Sequence, residues 1–211
     1  MALWDIDASV IEGGVYRRFA DVLAATDRCT AVGVDIPIGL TESGPRSCDL
    51  QARRLLGRQA SSVFTPPLRP MLLAATRAEA DAIRRSIEGK GVGYQAFSIV
   101  GKIREVDGLM TPDLQVRVVE THPELCFQRL AGLMGKKREP EGFEARRRAL
   151  AVVMPSFGHL LAVRSSKWAP DDVLDALVCA WVAKGVADDT AEWVPEEPEI
   201  DAKGLRMEMW F

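Results

Sequence analysis

Apolar and polar positions along the chain switch between strand and helix periods, so that short apolar runs interleave with amphipathic stretches. Residues 2–12 mix brief apolar and acidic segments and stop at Gly13-Gly14, which predicts one strand and part of another. Phe19, Val22, Leu23 and Ala24 fall at helical spacing and predict a helix over 17–27. A short apolar strand over 30–35 is closed by Pro37 and Gly39. A helix-rich section runs from Ser47 to about Met110, broken at Thr65-Pro66-Pro67, with helices over 48–56, 76–87 and 94–109. The second apolar strand covers 114–120, helices follow over 123–130, 142–154 and 170–184, and 205–210 reads as a last strand. Strands interleaved with helices predict an α/β layer architecture. We read one domain over 1–211 with a helical insertion over about 41–111.

Composition narrows this picture. At 211 residues and 47% hydrophobic content the chain is long enough to bury a sizeable core. Lys and Arg number 27 against 30 Asp and Glu, for a net charge of −3, which excludes a bulk basic coat for nucleic acid. Local basic clusters remain at Arg53-Arg54, Arg84-Arg85, Lys136-Lys137-Arg138 and Arg146-Arg147-Arg148. Most read as solvated helix faces, and nucleic acid is a partner only through such patches. The longest uninterrupted apolar run, 176–183, is far short of the ~20 residues of a membrane helix. The N-terminus carries Asp5 and Asp7 and no basic region, so no secretory signal is expected and the expected location is the cytoplasm. Cys29, Cys48, Cys126 and Cys179 include no C-x-x-C pair and read as reduced, buried thiols. His122 and Cys126 are spaced i, i+4, but His159 is the only other histidine, and zinc is rejected.

The candidate chemistry lies in the carboxylates. Two apolar strands each end in an acid, Val34-Asp35 and Val119-Glu120. In a parallel arrangement both emerge at the carboxyl edge of the sheet, where open α/β folds bind ligands. Pro170-Asp171-Asp172-Val173-Leu174-Asp175 opens an otherwise apolar helix and places up to three acids on one face. Such oxygen ligands suit Mg²⁺ or Mn²⁺, which can drive phosphodiester cleavage. Plainer roles compete. Asp171 and Asp172 follow a proline at the first helical position and favour the helix dipole, which leaves Asp175 unexplained. Thr121-His122-Pro123-Glu124 fits a capping box, which assigns Glu124 to structure and leaves Glu120 unexplained. Asp35 could simply brace the turn before Pro37. Gly91-Val92-Gly93-Tyr94-Gln95-Ala96 matches a dinucleotide fingerprint but follows a charged helix rather than a strand, and no P-loop or nucleophile elbow occurs. Lys102 and Arg104 follow a glycine near the acidic edge and are candidate phosphate contacts.

Several blocks together resemble one family, the domain of unknown function 429. They are Val34-Asp35-Ile36-Pro37-Ile38-Gly39-Leu40, Arg46-Ser47-Cys48-Asp49 with Ala52-Arg53, and Ser61-Ser62-Val63-Phe64. Lys102-Ile103-Arg104-Glu105-Val106-Asp107, Glu120-Thr121-His122-Pro123-Glu124, Asp171-Asp172-Val173-Leu174-Asp175-Ala176 and Gly204-Leu205-Arg206-Met207-Glu208 continue the series. The resemblance spans about Val34 to the C-terminus. Members are described as predicted nucleases of the ribonuclease H-like fold. That implies a mixed sheet in the order 3-2-1-4-5, with Asp35 ending the fourth strand and Glu120 the fifth. It also implies that Asp35, Asp172 and Asp175 hold metal. Family members usually begin with a strand bearing Val-Asp-Gly-Cys or similar, whose aspartate is the central ligand. Here Leu3-Trp4-Asp5-Ile6-Asp7 lies ten residues before the helix at Arg17, too close for a three-strand meander. Asp5 and Asp7 therefore read as second-strand residues, and the first strand is expected to be lost or to lie upstream.

The leading expectation is thus a ribonuclease H-like, Mg²⁺- or Mn²⁺-dependent nuclease, inactive if the strand is lost. Asp35, Asp172 and Asp175 are the expected ligands, Glu120 a ligand or water-orienting base, and Lys102 and Arg104 the phosphate contacts. Its rivals are a non-catalytic interaction module that keeps the fold and a nucleotide-dependent phosphotransferase. A gap beside the strand at 30–35 would be filled by the N-terminal strand or by a second copy in a homodimer.

Overall fold

The computed structural model describes residues 1–5, 10–132, 135–163, 165 and 168–211. Its strands are β1 (Ala2–Asp5), β2 (Val10–Gly13), β3 (Val32–Val34), β4 (Val118–Glu120), β5 (Trp193–Ile200) and β6 (Arg206–Trp210). Its helices are α1 (Phe19–Ala25), α2 (Ser47–Leu56), α3 (Arg77–Glu88), α4 (Tyr94–Leu109), α5 (Pro123–Ala131), α6 (Pro140–Val153), α7 (Gly158–Ala162) and α8 (Pro170–Ala187). Tighter 3₁₀ turns cover Gly57–Ser62, Arg69–Leu73 and Leu114–Val116. The fold is α/β, with helix predominating over small sheets. Among the described residues no helix is long and apolar enough to cross a membrane.

The chain gathers into two compact units. The first comprises Met1–Asp35, Thr121–Glu192 and Trp210–Phe211. Here α8 is the organising element. Pro170 supplies its first turn, where a missing N–H costs nothing. Leu174, Leu177, Val178, Cys179, Val182 and Ala183 are buried along it, and β1, β3, α5, α6 and α7 pack around it. The approach of β3 to α8 depends on Gly33. A Cβ there would stand 2.7 Å from the Cys179 carbonyl oxygen and 2.9 Å from Thr121 Cγ2. The Thr121 N–H donates to the Val34 carbonyl at 2.9 Å, and Thr121 also bridges to Trp210 in parallel. β1 and β2 form an antiparallel hairpin in which Leu3 faces Glu12 and Trp4 faces Ile11. Asp5 is exposed at the end of β1. Asp7, the other N-terminal acid considered above, lies outside the described residues.

The second unit comprises Ile36–Glu120 and Trp193–Met209. α3 and α4 pack on the Arg69–Leu73 turn, burying Leu68, Met71, Ala74, Ala80 and Val92 in one cluster and Leu40, Leu72, Val100 and Ile103 in a second. β5 pairs with β6 and packs on α2. Asp201 closes the turn between the two strands, its carboxylate accepting the Lys203 and Leu205 N–H groups at 2.8 and 3.0 Å. The same carboxylate accepts the Leu40 N–H at 3.1 Å and pairs with Arg69.

Two departures from the sequence pattern have local causes. The apolar run over 114–120 is a strand only over Val118–Glu120. The Thr111 hydroxyl captures the Leu114 N–H at 3.1 Å and starts a turn. The Gln115 side chain then pairs with the Arg206 backbone, donating to its carbonyl at 2.7 Å and accepting its N–H at 2.8 Å. β5 escapes the pattern because Pro195, Pro198 and the three glutamates Glu196, Glu197 and Glu199 read as loop. A strand paired along one edge tolerates proline on the other.

Candidate functional site

β3 delivers Asp35 at its C-terminal end, and α8 delivers Asp175 one turn below its start. Glu124 stands in the first turn of α5, with His122 at the cap position making no side-chain capping bond. The capping box expected for Thr121-His122-Pro123-Glu124 therefore does not form. The Glu124 carboxylate turns instead to Arg146 of α6, whose Nη2 donates to it at 2.5 Å. Arg146 is fully buried and lies over the Phe127 ring, 5.4 Å from its centre. Its Nη1 donates to the carbonyls of Gly135 and Gly142 at 2.8 and 2.9 Å, which fixes the connection between α5 and α6 against the start of α6. Gly142 permits that approach, since a Cβ there would meet the Lys136 carbonyl oxygen at 2.1 Å. The connection so held carries Lys137, whose Nζ donates to Asp175 Oδ2 at 2.6 Å.

Three acids and one lysine of the first unit thus act on one another. Asp35 is exposed at one side, yet enough protein surrounds the rest of it that desolvation dominates. Desolvation raises its carboxyl to about 6, Lys137 opposes the rise and Glu124 adds to it. Asp175 is also raised to about 6, first by desolvation and further by the charges of Asp35 and Glu124, against the pull of Lys137. Desolvation opposes the Lys137 ammonium, but its bond to Asp175 and the charges of Asp175, Asp171 and Glu124 prevail and raise its pKa. Two buried thiols, Cys126 and Cys179, feel Asp35, and burial pushes each upward with the Asp35 charge adding to it. Burial of this kind disfavours unpaired negative charge.

The remaining candidates are placed elsewhere. Asp172 is exposed at the start of α8, where its Oδ2 accepts the Ala169 N–H at 2.8 Å, a capping contact. Glu120 is buried in the second unit and grips Arg46 through two bonds of 2.7 Å. The same guanidinium holds Asp49 at 2.6 and 2.9 Å and the Ile38 and Gly39 carbonyls, while the Ile38 N–H donates to Glu120 at 2.6 Å. Burial drives the Glu120 carboxyl upward, and Arg46 and the Ile38 N–H oppose it. Every oxygen of Glu120 is thereby engaged. Arg104 donates to the carbonyls of Leu72 and Ala74, both at 2.5 Å, and Lys102 is exposed on α4.

The sequence did not single out Glu124, Lys137 or Arg146 for this cluster. For Arg146 a signal existed: Gly142, Arg146 and Leu150 share one helical stripe and all are buried. For Lys137 none did, because its position depends on how the chain between α5 and α6 folds back. Two neighbouring carboxylates with solvent access on one side suit a hard cation that keeps several waters, as Mg²⁺ does. Among the described residues no three acidic, histidine or cysteine side chains form a closed cage for an ion. Asp35 and Asp175, with Glu124 acting on both, are the described residues that could hold such an ion, and they make no closed group of three.

Neither a curated protein nor a solved structure shows significant similarity to the chain. A family model does match it over residues 1–200, nearly its whole length, and its description is protein of unknown function (DUF429). The match thus runs from residue 1 to the end of β5, and the protein belongs to that family.

Proposed function

We propose that the chain is a metal-dependent phosphodiester hydrolase, a nuclease, in which Asp35 and Asp175 hold Mg²⁺ or Mn²⁺ and Glu124 stands beside them. The observation that carries this reading is the convergence of Asp35, Asp175 and Glu124, in which the charge of Glu124 raises the proton affinity of both aspartates and the charge of Asp35 raises that of Asp175. Acids arranged against their own mutual repulsion are characteristic of sites that receive a cation or a proton. When bound, such an ion acidifies water and neutralises charge developing on phosphate oxygens. Asp35 and Asp175 would hold the ion, and Arg146 keeps Glu124 in place beside them. Asp172 stays outside the ligand set because its carboxylate caps α8. The ribonuclease H-like sheet order 3-2-1-4-5 belongs to the same proposal.

Incubation of the protein with labelled single- and double-stranded DNA and RNA in millimolar Mn²⁺ tests the reading. Cleavage that is lost in Asp35→Asn and Asp175→Asn, and kept in Asp172→Asn, is the expected result. Absence of cleavage of all four substrates, or equal cleavage by Asp175→Asn, overturns it. One observation favours a second reading, a non-catalytic module: Lys137 already neutralises Asp175, so the cluster also serves to fasten the segment before α6.

A further inference from the structure

We propose that Lys137 is a built-in competitor of the divalent cation, an internal ammonium seated on Asp175 that must be displaced before an ion can take that carboxylate. The inference rests on the metal-site reading above and concerns how that site is regulated.

Three observations carry it. The Lys137 ammonium lies 2.6 Å from Asp175 Oδ2, so one ligand oxygen already has a cationic partner. The contact is built rather than incidental. Arg146 anchors Gly135, Gly142 lets the segment lie against α6, and the Glu139 N–H to Lys136 carbonyl bond of 3.0 Å folds it into a turn. Lys137 is also movable, since its side chain keeps 35% of its surface exposed while that of Asp175 keeps 14%. An exposed, flexible stem lets the ammonium swing into water, whereas the carboxylate stays where α8 holds it. The charges that act on the ammonium are those of Asp175, Asp171 and Glu124, and Asp35 feels it in turn, all of them acidic. Release of Lys137 therefore requires another positive charge in its place, and a divalent ion supplies it. The device would hold the site shut at low metal concentration and shift its response to higher metal.

Mn²⁺ titration calorimetry on wild type, Lys137→Met and Lys137→Arg tests the proposal, together with peptide mapping of Lys137 acylation with and without Mn²⁺. Loss of the competitor should tighten Mn²⁺ binding about tenfold in Lys137→Met, while Lys137→Arg, which keeps a cation in the seat, stays within about threefold of wild type. Mn²⁺ should also raise the acylation rate at Lys137 in the wild-type protein. Mn²⁺ binding by wild type that Lys137→Met leaves unchanged or weakens overturns the competition and leaves the metal site standing. Equal tightening in Lys137→Arg, or acylation unaffected by Mn²⁺, also overturns it. Absence of Mn²⁺ binding in both wild type and Lys137→Met overturns the metal site itself.

Discussion

Asp175 sits one turn inside α8 between Leu174 and Leu177, both fully buried, and its carboxyl is raised from the ordinary value of 3.8 to about 6. Between those values the unfolded chain has released the proton and the folded chain has kept it. The folded state then binds more protons, so stability falls as pH rises from about 4 to about 6 and levels off above. Asp35 contributes in the same direction but less, because it is exposed and better screened. Asp175→Asn cannot ionise. Thermal midpoints of EDTA-treated wild type and variant should therefore diverge in favour of the variant between pH 4 and pH 7, and parallel curves would remove the argument. Arg46 presents the opposite case, a buried charge whose partners are complete. Arg46→Ala strands Glu120 and Asp49 without a counter-charge and should cost about 3–5 kcal/mol in urea unfolding, as broken buried pairs do. None of this was legible from residue type alone. Asp175 was recognisable as an acid with no local task, Asp35 had the turn before Pro37 as a plainer role, and the two feel each other's surroundings through Glu124 and Lys137. Glu120 looked equally taskless only because Arg46, its partner, lies 74 residues away.

At the scale of elements, the site depends on how closely β3 lies on α8. Gly33→Ala puts a methyl group 2.7 Å from the Cys179 carbonyl oxygen. Backbone cannot yield as a side-chain tip can, so the strand must shift, at a cost of about 1–3 kcal/mol. Asp35, two residues on, shifts with it. We expect Gly33→Ala to remain folded by circular dichroism and to lose most of its Mn²⁺ affinity; unchanged affinity would show that the β3–α8 spacing does not set the site. Helices were the elements that the sequence specified well, α4 over Tyr94–Leu109 among them. Their apolar faces repeat over several turns, which makes the period unambiguous. Strands of three residues, such as β3 and β4, offer too few positions for that.

For the whole molecule, an ion that binds only the folded state stabilises it by mass action. Mn²⁺ at a hundredfold excess over its Kd adds about 2.7 kcal/mol. For a chain of 211 residues that corresponds to a rise of about 5–10 °C in Tm. Scanning calorimetry should show this rise in wild type and in Asp172→Asn, and should not show it in an Asp35→Asn/Asp175→Asn double variant. An equal rise in the double variant would place the ion elsewhere. The sequence by itself determined the α/β class, most helices and their limits, the family, and Asp175 as an acid that its own helix start does not need. These follow from periodicity and chain chemistry, which act over a few turns. Tertiary structure alone decided which acids meet. Asp172 is retained by its own helix start, Glu120 by Arg46, and Glu124 is drawn from a capping role to Arg146. Lys137 reaches Asp175 across 38 positions of sequence. Long-range pairing of charges depends on which surfaces the packed elements bring into contact, and no local pattern encodes that.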